Sequence, residues 1–259
     1  MIQTQLMGIV NVTPDSFSDG NLYFEPAAAA QRVAELFDQG AALVDIGAES
    51  TRPQATPLSS GAEWQRLQPV LAAVLPRYGD QLSIDSRHPE TIDRVARSFG
   101  PHFIINDVTG FNDPRMVVVA AKHHLRCIVS HLPAAAGSDV QAAHRGELLD
   151  DMAVVRQELL ARQQQLVRAG VPAEHIILDP GIGFGKTAKL NRQLLEFPRE
   201  LPEYPVLLGY SRKRFLGEQR FELAPNLAAG RLAMAAGAAY LRVHDVAAHA
   251  ALLAERVGC

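Results

Sequence analysis

Cysteine is almost missing from this chain. Two residues in 259, Cys127 and Cys259, offer no C-x-x-C spacing, which leaves no basis for a disulfide framework or a zinc-thiolate site and suits a reducing cytoplasm. No apolar run approaches the roughly 18 residues of a membrane span, and the opening residues lack the basic flank of a signal peptide, so neither membrane insertion nor secretion is expected. Charge of either sign is not in excess: 25 Lys+Arg against 28 Asp+Glu give −3, which excludes the basic footprint of a nucleic-acid binder. A G-x-G-x-x-G following the first apolar strand is also missing, which weakens a dinucleotide-binding reading.

What the chain does have is regular spacing. Short apolar runs, often β-branched, recur at Leu6–Val10, Ala42–Ile46, Leu82–Asp85, Phe103–Asp107, Arg126–Ser130, Ile176–Asp179, Val206–Gly209 and Tyr240–Val243, with helical periodicity between them. Near-continuous apolar strands alternating with helices imply a parallel sheet buried on both faces. Eight units in 259 residues come to about 32 residues each, the size of a βα repeat, so the expected fold is an α/β protein of the (β/α)8 TIM-barrel type occupying residues 1–259 as one domain. Pro26, Pro89 and Pro114 mark helix starts, and Glu147–Ala169, closed by Gly170 and Pro172, is expected to be the longest helix. Gln54–Gly61 and Pro133–Gly146 read as loops.

Seven of the eight strands end in polar side chains. They are Asn11, Glu49 with Thr51 and Arg52, Asp85, Asn106 with Asp107, Asp179, the Ser211–Arg214 run, and Arg242 with His244. In a barrel all of these strand ends meet at one mouth, where such enzymes build their sites. Any one of these residues serves equally well as a turn or helix cap. Asp45, Asp85, Asp107 and Asp179, however, sit in or at the ends of apolar strands, where an unpaired carboxylate is costly. Strand alternation turns only one of Asn106 and Asp107 inward, and it puts Arg242 and His244 on the same face. The mouth therefore divides into an acidic, amide-rich zone suited to a donor-rich heterocycle and a basic zone, including Arg212, Lys213 and Arg214, suited to phosphate or diphosphate.

The strings that carry these residues resemble one family closely. Met7-Gly-Ile-Val-Asn-Val-Thr-Pro-Asp-Ser-Phe-Ser-Asp-Gly20, Val44-Asp-Ile-Gly-Ala-Glu-Ser-Thr-Arg-Pro53, Ser83-Ile-Asp-Ser86, Ile105-Asn-Asp-Val108, Leu178-Asp-Pro-Gly-Ile-Gly-Phe-Gly-Lys186, Gly209-Tyr-Ser-Arg-Lys213 and Arg242-Val-His-Asp245 follow the order seen in dihydropteroate synthases. These pterin-binding transferases of folate biosynthesis join a dihydropterin methyl diphosphate to 4-aminobenzoate. The resemblance implies a (β/α)8 barrel and a homodimer. It places Asp85, Asn106, Asp179 and Lys213 around the pterin. Asn11, Thr51, Arg52, Arg242 and His244 hold the diphosphate, with Asn11 as the protein ligand to Mg²⁺ and Asp15 assisting. Phe184 and Gly209 complete the substrate-binding set, while Phe17, Thr51, Pro53 and Ser211 or Arg214 shape the aminobenzoate pocket. Asp85, Lys213, Arg242 and His244 are the residues expected to carry catalysis.

The sequence departs from the family pattern after the fifth strand, where Ser130-His131-Leu132-Pro133 replaces a Met-His-Met-Gly string. Leu132 stands for a methionine against the pterin, a substitution of similar volume. Tyr210 is expected to add bulk near the pterin mouth. Two other readings share the pattern: a pterin-binding paralogue without turnover, and the pterin barrel of corrinoid-dependent methyltransferases, which has no use for a diphosphate-binding set.

Overall fold

The structure, a computed structural model, describes residues 3–13, 26–51 and 55–257. Its strands are β1 (Gln5–Asn11), β2 (Leu43–Gly47), β3 (Leu82–Asp85), β4 (Ile104–Asp107), β5 (Arg126–Ser130), β6 (Ile176–Asp179), β7 (Leu207–Leu208) and β8 (Tyr240–Val243). The helices are α1 (Pro26–Asp38), α2 (Ser60–Tyr78), α3 (Pro89–Phe99), α4 (Pro114–Lys122), α5 (Val140–Arg145), α6 (Met152–Arg168), α7 (Ala188–Gln193), α8 (Leu223–Ala235) and α9 (Val246–Val257). Each strand pairs in parallel with its sequence neighbour from β1 to β6, while β8 pairs with both β1 and β7. A single parallel bridge, Leu178 to Val206, draws β6 to the start of β7 and closes the expected barrel.

The two faces of each strand have separate duties. Leu6, Val44, Ile84, Ile105, Cys127, Leu178, Leu208 and Leu241 face the helices and join the main core. Met7, Leu43, Ile104, Ile128, Ile177 and Leu207 form a second apolar cluster, with Tyr240 packed against it. These residues have the opposite parity and plug the barrel interior, as filled layers do in such barrels. Two residues further along the same parity lie Asp45, Asn106, Ser130, Asp179, Gly209 and Arg242. The apolar plug therefore fixes which polar residues share the mouth.

Helix starts follow local chemistry. The side chains of Ser59, Asp113, Asp151 and Thr187 accept backbone N–H groups at the starts of α2, α4, α6 and α7, and Pro89 and Pro114 occupy first-turn positions. The expected helix over Glu147–Ala169 begins later, at Met152, because Asp151 caps it. Among the described residues the longest helix is α2, with 19 residues, and it carries Pro69 and Pro76 in its interior. Pro133–Gly146, expected as loop, contains a 3-10 turn at Ala134–Ala136 and the short helix α5, which Asp139 caps. Among the described residues no helix is long and apolar enough to cross a membrane.

Candidate active site

At the C-terminal ends of the strands, Arg242 lies over the β2–β4 side. Its Nε donates to Asp45 Oδ2 at 2.7 Å and its Nη2 to Asp85 Oδ2 at 3.0 Å. Asn106 Nδ2 donates to the same Asp45 oxygen at 3.0 Å. Asp45 is fully buried, and its second oxygen has no partner among the described residues. Burial, followed by the adjacent Asp45 charge, pushes the Asp85 carboxyl up to about 7 although Arg242 opposes the shift.

The β5–β6 side has the reverse balance. Asp179 Oδ1 accepts the Gly181 amide at 2.8 Å and Oδ2 accepts the Ser130 hydroxyl at 3.2 Å. Burial raises the Asp179 carboxyl, and Lys213, the Gly181 amide, Ser130 and Lys186 all act against that rise. Lys213 donates from Nζ to the Ile182 carbonyl and sits 4.8 Å from the centre of the Phe184 ring. Burial pushes the Lys213 ammonium down to about 8, with Asp179 opposing and Arg242 reinforcing the shift. Gly183 makes this approach possible, because a Cβ there would stand 2.8 Å from Lys213 Cδ. Gly209 lies beside Arg242 and the Lys213 ammonium, with room for a Cβ at 3.9 Å from both.

Beside Arg242, Ser211 Oγ lies 3.0 Å from His244 Nδ1, which fixes the ring above β8. Val108, Leu132, Val140 and Ala143 form an apolar wall at the mouth, with Phe184 packed on it. The loop after β2 is braced from β3: Arg87 forks onto Glu49 at 2.8 and 3.1 Å, and His88 Nε2 lies 3.2 Å from Glu49 Oε2. Burial alone would raise the Glu49 carboxyl, but these bonds hold it down at about 2. Glu49, Glu63 and His88 place ligand atoms within 4.8 Å of one another, but the Arg87 guanidinium already supplies their cation. A shallow cleft between Thr51, Glu49, Asp85 and Val108 opens beside this brace.

The profile of the pterin binding enzyme family matches residues 7–244. Dihydropteroate synthase of Neisseria meningitidis serogroup C is 39% identical over 260 residues, covering 95% of this chain and 89% of that one. The chain belongs to the dihydropteroate synthase family. Dihydropteroate synthase of Xanthomonas albilineans, solved with 4-aminobenzoic acid, superposes with a TM-score of 0.85 at 36% identity, covering 99% and 93% of the two chains. The same enzyme in complex with 7,8-dihydropteroate gives 0.81 at 34% identity with the same coverage.

The fold brings most of the family's motif residues in this chain to one mouth: Asp85, Asn106, Asp179, Phe184, Gly209, Ser211, Lys213, Arg242 and His244, with Thr51 at its edge and Asn11 ending β1 on the same inward parity. Arg52, Asp15, Phe17 and Pro53 lie outside the described residues. Of the pair after β4, Asn106 faces inward. Asp107 turns away and accepts the Thr109 and Phe111 amides, so it braces its own loop. The expected basic run separates. Lys213 turns to the mouth, Arg212, at φ 61°, pairs with Asp245, and Arg214 is exposed. Tyr210 is not at the mouth either: it is fully buried in the helix-facing core, near His249. Strand parity accounts for this, since its neighbours Gly209 and Ser211 are the ones that face in. Cys127 is buried in the same outer layer, and burial raises its thiol well above the usual range. Asp45 and Ser130 are inward-facing polar residues without an assigned role in the sequence reading, although counting two residues up from Leu43 and Ile128 finds both.

Proposed function

We infer that this chain condenses (7,8-dihydropterin-6-yl)methyl diphosphate with 4-aminobenzoate, giving 7,8-dihydropteroate and diphosphate in folate biosynthesis. The observation that carries the reading is the convergence at one barrel mouth of Asp85, Asn106 and Asp179 with Lys213, Arg242 and His244, in a chain of this family; the expected acidic and basic zones interlock there, because Arg242 reaches across to Asp45 and Asp85. It is a transferase, and its substrates are small molecules.

Asp179, Asn106 and Asp85 supply acceptors for the ring N–H and 2-amino groups of the pterin, which resemble half a guanidinium, while Lys213 offers a donor to the ring. Phe184 and Leu132 supply the apolar wall of the pocket. Arg242 keeps part of its donor fork free of Asp45 and Asp85, and with His244, Thr51 and Arg52 it receives the diphosphate. The methylene C–O bond breaks and its electron pair leaves with the diphosphate, whose growing charge these donors stabilise. The electron-rich pterin ring and the carboxylates beside it offset the positive charge left on the methylene. The amine nitrogen of 4-aminobenzoate then forms the new C–N bond and gives up a proton. These steps use no nucleophilic side chain: Ser211 Oγ, 3.0 Å from His244 Nδ1, holds that ring in place and does not attack the substrate.

Asn11 fits the single hard ligand that a phosphate-bound Mg²⁺ takes from a protein. It ends β1 half-buried at the mouth, and its side-chain amide holds no hydrogen bond among the described residues. Bound there, the ion would neutralise charge on the diphosphate. A homodimer and a cytoplasmic location complete the proposal, the first resting on family resemblance and the second on the scarcity of cysteine.

The test is a product assay with purified protein, Mg²⁺, the dihydropterin methyl diphosphate and 4-aminobenzoate. Release of diphosphate together with dihydropteroate is the expected result. Pterin binding without product at any Mg²⁺ concentration would establish the paralogue without turnover.

A further inference from the structure

Lys186 closes the Leu178–Lys186 motif, and the reaction described above does not use it. It is 5% exposed, yet no carboxylate bonds its ammonium. Nζ instead donates to three backbone carbonyls, those of Gly181 at 2.9 Å, Phe184 at 2.9 Å and His131 at 3.2 Å. Burying an ammonium against neutral acceptors alone is costly, so the arrangement requires a compensating charge nearby. Burial pushes the Lys186 ammonium down to about 7; Asp179 on β6 and, more weakly, Glu158 on α6 oppose that fall and favour its charged form, while Lys213 repels it. His131 is the other titratable group facing it, and burial together with Lys186 drives that imidazole down to about 4, so it stays neutral.

The loop between the two lysines is what they share. Gly181 and Phe184 turn their carbonyls to Lys186, and Ile182 turns its carbonyl to Lys213. Gly181 adopts φ +65°, and a Cβ there would lie 2.1 Å from the His131 carbonyl, so the β5 and β6 loops touch backbone to backbone at the cage. His131 donates its amide to the Asp179 carbonyl at 2.8 Å, which completes the tie. Asn191 locks the outer end, donating to the Lys186 carbonyl at 3.1 Å and accepting the Gly183 amide at 2.7 Å.

We propose that Lys186 is a positioning residue for pterin recognition: from outside the pocket it fixes the Gly181–Phe184 loop and supplies the second cation that keeps Asp179 an acceptor when the pterin engages Lys213. This rests on the reading of Asp179 as a pterin-binding carboxylate.

Lys186→Gln keeps amide donors for the carbonyl cage but removes the charge, and Lys186→Met removes both. For Lys186→Gln, KM for the pterin diphosphate should rise about tenfold with kcat unchanged within about twofold, the order expected when one nearby, unbonded charge stops favouring the Asp179 carboxylate. Calorimetric affinity for inorganic pyrophosphate, which needs only the β8 side, should stay at the wild-type value. Because both changes act through one carboxylate, Asp179→Asn combined with Lys186→Gln should bind pterin no more than about twofold more weakly than Asp179→Asn alone. Lys186→Met should show the same pattern with an additional fall in Tm. Equal losses for pterin and pyrophosphate, unchanged KM in Lys186→Gln, or multiplied losses in the double variant would overturn the proposal. Wild-type pterin affinity in Asp179→Asn would instead overturn the pocket reading on which it rests.

Discussion

The two halves of the mouth hold their carboxylates by opposite means. On the β2–β3 side, Asp45 and Asp85 share one guanidinium, and an Asp45 oxygen remains without a partner. On the β5–β6 side, Asp179 alone has an amide, a hydroxyl and two nearby ammonium groups. One side carries more carboxylate than its donors satisfy, and on the other a single carboxylate has donors on both oxygens and still has acceptor capacity to spare. The difference teaches where each kind of perturbation will register: pH and anions act on the Arg242 side, whereas loss of a heterocycle acceptor is felt most on the Asp179 side.

The largest expected effect comes from breaking the Arg242 side outright. Arg242→Ala removes both a diphosphate donor and the one cation bonded to Asp45 and Asp85 among the described residues, so steady-state kcat/KM for the pterin diphosphate should fall about 1,000-fold. Asp179→Asn attacks the donor-rich half, and calorimetry should show pterin diphosphate binding weakened by about 100-fold with pyrophosphate binding retained, since the acceptor lost is hydrogen-bonded in a buried site. Similar small effects from the two variants would erase the division into two zones.

A subtler contrast uses pH. The Asp85 carboxyl sits at about 7 in the folded chain, above its usual 3.8, so the folded state keeps a proton that the unfolded state has lost between those values. Its contribution to stability is full below about pH 4 and is lost as pH rises through about 7. Asp85→Asn should therefore raise Tm by roughly 3 °C at pH 8 and by less at pH 5, read by thermal unfolding. The same scan should show turnover falling with the acceptor removed; a lower Tm at pH 8 would mean that Arg242 had more than compensated the crowded charges. The smallest effect belongs to Tyr210→Phe. The Tyr210 hydroxyl is buried without a hydrogen-bond partner among the described residues, so its removal should change stability by no more than about 1 kcal/mol in the stabilising direction and leave turnover intact. A loss of pterin affinity would put Tyr210 back at the mouth.

Much of this arrangement was legible in the sequence because strands buried on both faces announce themselves as unbroken apolar runs. Four of them, Leu82–Asp85, Arg126–Ser130, Ile176–Asp179 and Tyr240–Val243, match the observed strands end to end. Parity then decides which polar residues meet. Applied to β7, it would have sent Tyr210 outward and singled out Lys213 from its two arginine neighbours. Charge composition hid this, because Arg212 is spent on Asp245 through a left-handed backbone that no residue count reveals. The Lys186 cage was equally invisible: its partners are main-chain carbonyls, which every residue has. Helix length failed for a local reason: Asp151 caps α6 inside the expected Glu147–Ala169 helix, while α2 runs on through Pro69 and Pro76.

The barrel's closure has one further consequence. Every other adjacent pair of strands is laced by two or more registered residues, but β6 meets β7 through a lone bridge at Leu178, whose amide reaches the Pro205 carbonyl at 2.9 Å. Asp179 is the next residue. A carboxylate of the mouth is thus mounted at the seam with the fewest rungs, so deuterium should enter the Leu178 amide sooner than the paired amides of β1 and β2. Ligand that spans Asp179 and Lys213 would act as a stitch across that seam, slowing exchange there before anywhere else in the sheet.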